Sequence, residues 1–399
     1  MWTEVSLDQL GHLSRGRSRH RPRNDPVLYG GAYPFVQTGD VKAAKLRITE
    51  HSQTYGEIGL EQSRLWPENT LCITIAANIG DTALLSYPAC FPDSIIGFVA
   101  DERKCDVRFV KYCFDMIQER LRMVSQGATQ DNLSQDKLLR FGIPCPPVET
   151  QRAIGDVLSS YDDLIQTNRS RIVLLEESAR LLYREWFVNL RFRGYQLVPL
   201  VDGLPEKWRV TTYGDIVDAI GGATPSTKRL DYWNGDVVWL TPTDVTRNDC
   251  LYLSDSARRI TETGYESCST KLLPPGTIFM TSRASIGYFA LLDQPACTNQ
   301  GFIAVVPKVR NCRNYLLFNL MNRVDEFNAK ATGSTFKELS KRTFRDMTVM
   351  LPSQEVLDVF EAVTLPIIEQ IKVLKKQLIA LTLARDELLP RLMSGAIRV

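Results

Sequence analysis

An apolar stripe at alternating steps of four and three residues constrains this chain more than any other feature, and it occurs twice. Within residues 149–190 it runs through Ile154, Leu158, Tyr161, Ile165, Asn168, Ile172, Leu175, Ala179, Leu182 and Trp186, with Asn168 its one polar member. About 206 residues later it returns as Phe360, Thr364, Ile367, Ile371, Leu374, Leu378, Leu381, Arg385, Leu388 and Leu392, interrupted at Thr364 and Arg385. This spacing is the seam of a coiled coil. Such a seam is too narrow to bury itself against a broad sheet, and neither helix can satisfy its stripe alone, so the economical arrangement packs each on the other. Chain order then sets direction. The first helix carries the backbone from one domain to the next and the second starts at that later domain, so a pair in contact along its length is antiparallel. The pattern also fits two independent amphipathic helices, each on its own domain.

The rest of the sequence repeats with the stripe. Trp2 and Leu10 recur as Trp208 and Ile216, beyond a linker broken by Gly194, Pro199, Gly203 and Pro205. Residues 33–41 line up with 237–245, each a short apolar run ending at a polar turn with an aspartate, Asp40 or Asp244. Residues 65–80 match 272–287, and each copy continues to a Pro-Ala-Cys, at Cys90 and Cys297, and a β-branched run, 95–99 or 302–306. Short apolar runs with turns between them predict β-rich domains. Each half then turns helical, at 107–124 and 314–329, before a loop (Gly127-Ala128-Thr129 then Leu133-Ser134; Gly333-Ser334-Thr335 then Leu339-Ser340) and a proline, Pro146 or Pro352.

The class expected is α+β: two similar β-rich domains separated by two long helices that form an antiparallel coiled coil. The divisions are 1–147, first domain; 148–192, first long helical region; 193–207, linker; 208–352, second domain; and 353–399, second long helical region. Pro366 stands where the first stripe has Ser160. Proline suits a first helical turn and not an interior, so each long segment is predicted to break here, leaving a long piece of about 28 residues and about 40 Å.

Composition excludes several classes. A net charge of +2 over 399 residues leaves any nucleic-acid surface to local arrangement. Nine cysteines without a CxxC pair, and His12, His20 and His51 without ligand spacing, point to reduced, mostly buried thiols rather than a metal site. Without a signal-like h-region or a membrane-length apolar run, the expected location is the cytoplasm.

Catalytic signatures are missing as well. The sequence has no Asn/Asp-Pro-Pro-aromatic run, no Walker A lysine, no metal-binding histidine pair and no Gly-x-Ser-x-Gly elbow. Asp93, Glu102 and Lys104 superficially resemble a nuclease set. Their spacing is short, and the second half has Asn299-Gln300 at the matching place, with no acid.

Two similar domains on a rigid rod suit two short sites on one duplex, since about 40 Å is a little more than one turn of B-DNA. Base edges are read by Arg, Lys, Asn, Gln, Ser or Thr on exposed loops. In the first half the candidates are Gln37, Thr38, Asn78, Thr129 and Gln130; in the second they are Thr241, Thr243, Ser282, Arg283, Ser285, Thr335 and Lys337. A basic run, Arg15, Arg17, Arg19, His20, Arg21 and Arg23, adds Arg17, Arg19 and Arg21 as phosphate-tracking candidates, with a solvated loop as the competing reading. Its counterpart, Gly221-Gly222-Ala223-Thr224-Pro225-Ser226, reads first as turn chemistry.

Taken in order, the Gly-Ala-Thr-Pro-Ser series, Tyr232-Trp233-Asn234-Gly235, the run from Trp239 to Asp244, Thr281-Ser282-Arg283-Ala284-Ser285-Ile286-Gly287, Gly333-Ser334-Thr335 and the closing Leu388-Leu389-Pro390-Arg391-Leu392-Met393-Ser394-Gly395 resemble the specificity subunit of a Type I restriction-modification enzyme over essentially the whole chain. The resemblance implies two target-recognition domains, each reading half of a split double-stranded DNA site across an unspecified spacer. It implies two methylation subunits docked on the helices and domains, with two restriction subunits joining in the full complex. It places S-adenosylmethionine, ATP and magnesium on those partners, with no cofactor on this chain and no membrane contact. The first half departs from the pattern, with Ala76 where the second has Arg283 and the basic run in place of Gly-Ala-Thr-Pro-Ser. Off the seam, Arg180, Tyr183 and Arg184 are positions that could meet the methylation subunits. Asn168 and Arg385 are either tolerated polar seam residues or register-setting ones. Two other functions fit the same architecture: a free-standing DNA-binding regulator, and an assembly scaffold that never touches bases.

Overall fold

A computed structural model of the chain describes residues 2–126 and 133–399. They fall into two compact units, residues 1–166 with 380–399 and residues 167–379.

In the first unit five strands hydrogen-bond in the order Gly11–Arg15, Ile95–Ala100, Leu71–Thr74, Thr82–Leu85 and Arg47–Ile48. All neighbours are antiparallel except the last pair. The strand Leu71–Thr74 is buried at every residue because both of its faces are covered. Successive side chains point to opposite faces, so Leu71 and Ile73 join Phe109, Cys113 and Phe114 of the helix Val107–Gln126, while Cys72 joins Trp66, Phe91 and Val36 on the other side.

The second unit repeats this design. Val217–Ile220, Phe302–Pro307, Ile278–Thr281 and Phe289–Ala290 are neighbours in one sheet, with Leu71 opposite Phe98 in the first unit and Ile278 opposite Val305 in the second. Trp233–Leu240 stands between Arg259–Ile260 and Ala296–Thr298 in a second sheet. In each unit an N-terminal strand pairs antiparallel with the strand just before a long helix: Thr3–Val5 with Ile143–Cys145, and Arg209–Thr212 with Thr348–Leu351.

The long helices are Val148–Tyr183, 36 residues ending in the π-helical turn Arg184–Val188, and Gln354–Met393, 40 residues. In the first unit Ile154 and Leu158 share a core with Leu392 and Met393, and Arg385 is ion-paired with buried Asp162. In the second unit Phe360 packs on Trp186 and Phe187, with ring centroids 5.6 and 4.8 Å away. There the buried Asn168 donates through Nδ2 to Gln377 Oε1 at 3.3 Å. The beginning of each helix thus meets the end of the other, which is an antiparallel pair and not two independent helices.

Two expectations fail here. Neither helix breaks near Ser160 or Pro366, and both exceed 28 residues. Pro366 lacks the N–H that would reach the carbonyl of Ala362 and crowds that carbonyl with its ring, but both residues are exposed, so water can take the acceptor. Buried Thr364, whose hydroxyl donates to Phe360 O, and buried Ile368 anchor the helix on either side. Tyr183 is also not an outward-facing position. It is 4% exposed and its hydroxyl accepts from Asn319 Nδ2 at 2.8 Å, while Arg180 and Arg184 are exposed. Of the named seam residues, Ile165, Ile172, Ile371, Leu374 and Leu378 are buried; Tyr161, Leu175, Leu182, Ile367, Leu381 and Leu388 are partly so. No helix among the described residues is long and apolar enough to cross a membrane.

Candidate nucleic-acid interface

In the second unit the sheet ends in a cluster of loops that tertiary hydrogen bonds draw together. Ser282 N–H donates to Gly301 O at 2.8 Å, Leu339 N–H to Ser282 O at 2.9 Å and Ala284 N–H to Lys337 O at 2.9 Å. Gly301 lies so close to Pro242 that a Cβ would come within 2.7 Å of its Cγ. A Cβ on Gly222 would meet Thr298 O at 1.9 Å, so only glycine lets the 221–224 loop approach here. Loops around residues 222, 242, 283, 300 and 335 therefore share one surface.

The side chains on that surface differ in availability. Thr241 caps the helix Pro242–Thr246, and its hydroxyl is committed to Asp244 Oδ2 at 2.6 Å. That bond makes Thr241 a positioning residue, whereas Thr243, two residues on, is exposed. Ser282 is 2% exposed and contributes its backbone to the frame. Arg283, Ser285, Thr335 and Lys337 are all exposed. Arg283 Nε lies 3.8 Å from Glu338 Oε2, with both side chains nearly half exposed, a pair of the kind worth about 0–1 kcal/mol and readily exchanged for a phosphate or a guanine edge.

The first unit has the same frame with different side chains. Ile75 N–H donates to Ser94 O at 2.9 Å and Leu133 N–H to Ile75 O at 3.0 Å, the bonds made by Ser282 and Leu339. Gln37 caps the helix Thr38–Ala43 and donates through Nε2 to Gln53 Oε1; Thr38 follows it, half-buried. Asn78 Oδ1 accepts from Lys42 Nζ at 3.1 Å. Thr129 and Gln130 lie outside the described residues. In the basic run Gly16 N–H bonds Ile95 O and Arg17 N–H bonds Phe91 O, which places the run where 222–224 lies in the second unit. Arg17 and Arg19 are exposed, with no ion pair among the described residues. Arg21 turns Nη1 back onto Ser18 O and His20 O, at 2.7 and 2.8 Å, and Arg23 pairs with Asp93 at 2.9 Å. His20 is tied to Asp25, whose carboxyl it holds below the usual range by hydrogen bonding. The run is thus ordered, and among the described residues the exposed guanidinium groups of Arg15, Arg17 and Arg19 enter no ion pair.

The model of the Type I restriction modification DNA specificity domain matches twice, over residues 1–177 and 205–379. The chain belongs to the type I restriction-modification specificity subunits. The Type I restriction enzyme MjaIX specificity subunit of Methanocaldococcus jannaschii is 40% identical over 154 residues, 38% of this chain and 36% of that subunit. The HindI specificity subunit of Haemophilus influenzae is 22% identical over 99% of both chains. Among solved structures, the S subunit of a Type I system from M. genitalium covers 98% of this chain and 96% of its own length, with a TM-score of 0.66 at 18% identity, a likeness of fold. Specificity subunits are the non-catalytic members of type I systems, and their part is DNA target recognition.

Sequence reasoning missed several exposed residues of this specificity subunit on the loop surfaces of its two units, four in the second and Lys42 in the first. Thr224 Oγ1 donates to Gln300 Oε1 at 2.8 Å; Lys341 and Arg342 open the helix Lys341–Asp346; Lys42 holds Asn78. Gln300 was within reach of the repeat alone, because it stands where the first half has Asp93. Lys341 was not, since only the fold brings its amine against Gly221.

Proposed function

We propose that this specificity subunit reads a split double-stranded DNA target, one half-site per domain, and recruits two methylation subunits to it, with two restriction subunits completing the assembly. S-adenosylmethionine, ATP and magnesium belong in this reading to the partner subunits, and the complex works in the cytoplasm, away from membranes. The observation that supports it best is the doubled loop frame, Leu133 on Ile75 and Leu339 on Ser282, carrying unlike exposed side chains in its two copies. A common frame presents each loop set to a duplex in the same way, while different side chains select different bases.

The test is half-site affinity in the complex with the methylation subunits. Arg283→Ala and Thr335→Ala are each expected to weaken binding at one half-site by about 1–3 kcal/mol and to leave the other unchanged. Binding indifferent to both substitutions would instead make the chain a scaffold.

A further inference from the structure

The loop between Ala331 and Leu339 carries one side chain that the reading of polar base contacts leaves unused. Thr332 and Glu338 exchange both backbone hydrogen bonds, at 3.1 and 2.8 Å, and so close a short two-stranded hairpin. Gly333 turns it at φ +127°, and a Cβ there would meet Phe336 O at 2.3 Å. The hairpin is pinned from the side by Ala284 N–H on Lys337 O. At its tip Phe336 is 59% exposed, the only phenylalanine among the described residues with its ring largely in water. A phenylalanine ring gains free energy on burial, yet here the pinned hairpin leaves it in water.

What surrounds the ring indicates what should cover it. Arg283, which faces Glu338, Lys337 within the hairpin, and Lys341 and Arg342 just beyond it in the chain are all exposed, and among the described residues the three apart from Arg283 enter no ion pair. This is a cationic rim with hydroxyls, suited to an anionic partner whose surface also offers an apolar spot. A two-stranded ribbon fits the DNA major groove, where the one apolar group on any base edge is the thymine 5-methyl.

Resting on the DNA-reading function above, we propose that the hairpin enters the major groove of one half-site and that Phe336 reads a thymine by packing on its methyl group. Arg283 and Thr335 supply polar contacts beside it, so Phe336 is the apolar member of that reading set.

The experiment uses the complex with methylation subunits and duplexes carrying the methylated target, with deoxyuridine replacing every thymidine in one half-site at a time. That exchange removes only methyl groups. Wild type is expected to lose about fourfold in Kd, the worth of one buried methyl, for uracil in one half-site. Phe336→Ala should bind the thymine duplex more weakly and be indifferent to the exchange there, and Phe336→Leu should keep part of the contrast. The proposal is overturned if wild type does not distinguish the duplexes, if Phe336→Ala distinguishes them as wild type does, or if the half-site has no A·T pair. Loss of methylation-subunit assembly in Phe336→Ala with the contrast intact would also overturn it, making the ring a protein contact. In all of these outcomes half-site binding persists, whereas a wild-type complex with no half-site preference removes the DNA-reading function itself.

Discussion

Asp162 is buried in the first unit with its side chain 4% exposed, between Arg385 and the hydroxyl of Tyr112, which donates to it at 2.7 Å. Asp162→Ala would leave the buried Tyr112 hydroxyl and the partly buried Arg385 without their shared acceptor. Arg385 keeps Asp386 as a second partner, which limits the loss to about 3 kcal/mol, seen as a lower denaturant midpoint. In the second unit Glu176 accepts Leu251 N–H at 2.6 Å with its side chain 14% exposed. Burial raises its carboxyl above the ordinary 4.5, opposed by that N–H and by Arg180. The folded state therefore holds this proton more tightly than the unfolded one, so the stability from Glu176 is complete below about pH 4.5 and is lost as pH rises through the raised value. Glu176→Gln keeps an oxygen for Leu251 and carries no charge. It should match or exceed wild type in stability at pH 7 and lose that advantage at pH 4, when melting is followed across pH. At this scale the polar interruptions Asn168 and Arg385 were legible as exceptions to the stripe. Their partners Gln377 and Asp162 were not, because pairing across two helices depends on the register between them and leaves no spacing in either.

The long helices show where local propensity yields to packing. Pro366 in an interior should cost about 3 kcal/mol, yet Gln354–Met393 runs through it unbroken, anchored by Phe360 and Thr364 before it and Ile368 and Ile371 after it. Pro366→Ala restores the missing N–H at an exposed position and should stabilise the chain by up to about 3 kcal/mol; a lower denaturant midpoint would show that packing uses the proline's geometry. The seam itself was readable because period and burial coincide over most of its length. Tyr183 was misread because the first helix, near its end, is covered by Asn319 and Tyr315 of the second domain as well as by its partner helix, which widens the buried arc beyond a two-helix seam. The loop frames were legible through the repeat, since residues 75 and 133 recur as 282 and 339 with the same backbone bonds. Which loop side chains are free was not, because Thr241 and Ser282 have the composition of readers and are held in caps and burial.

At the scale of the molecule, the sequence doubling becomes two domains of one design and an antiparallel helix pair, which in the proposed function acts as a ruler. Its distinctive consequence is a gap of fixed length in the target. The direct measurement is methylation mapping in cells that carry the partner subunits, with the wild-type chain and with a chain that has one heptad inserted into each long helix. A heptad adds about 10 Å of helix, or about three base pairs of duplex. Wild type should mark two unlike short motifs at constant separation, and the lengthened chain the same motifs about three base pairs further apart. One contiguous motif, or an unchanged separation in the lengthened chain, would contradict the account.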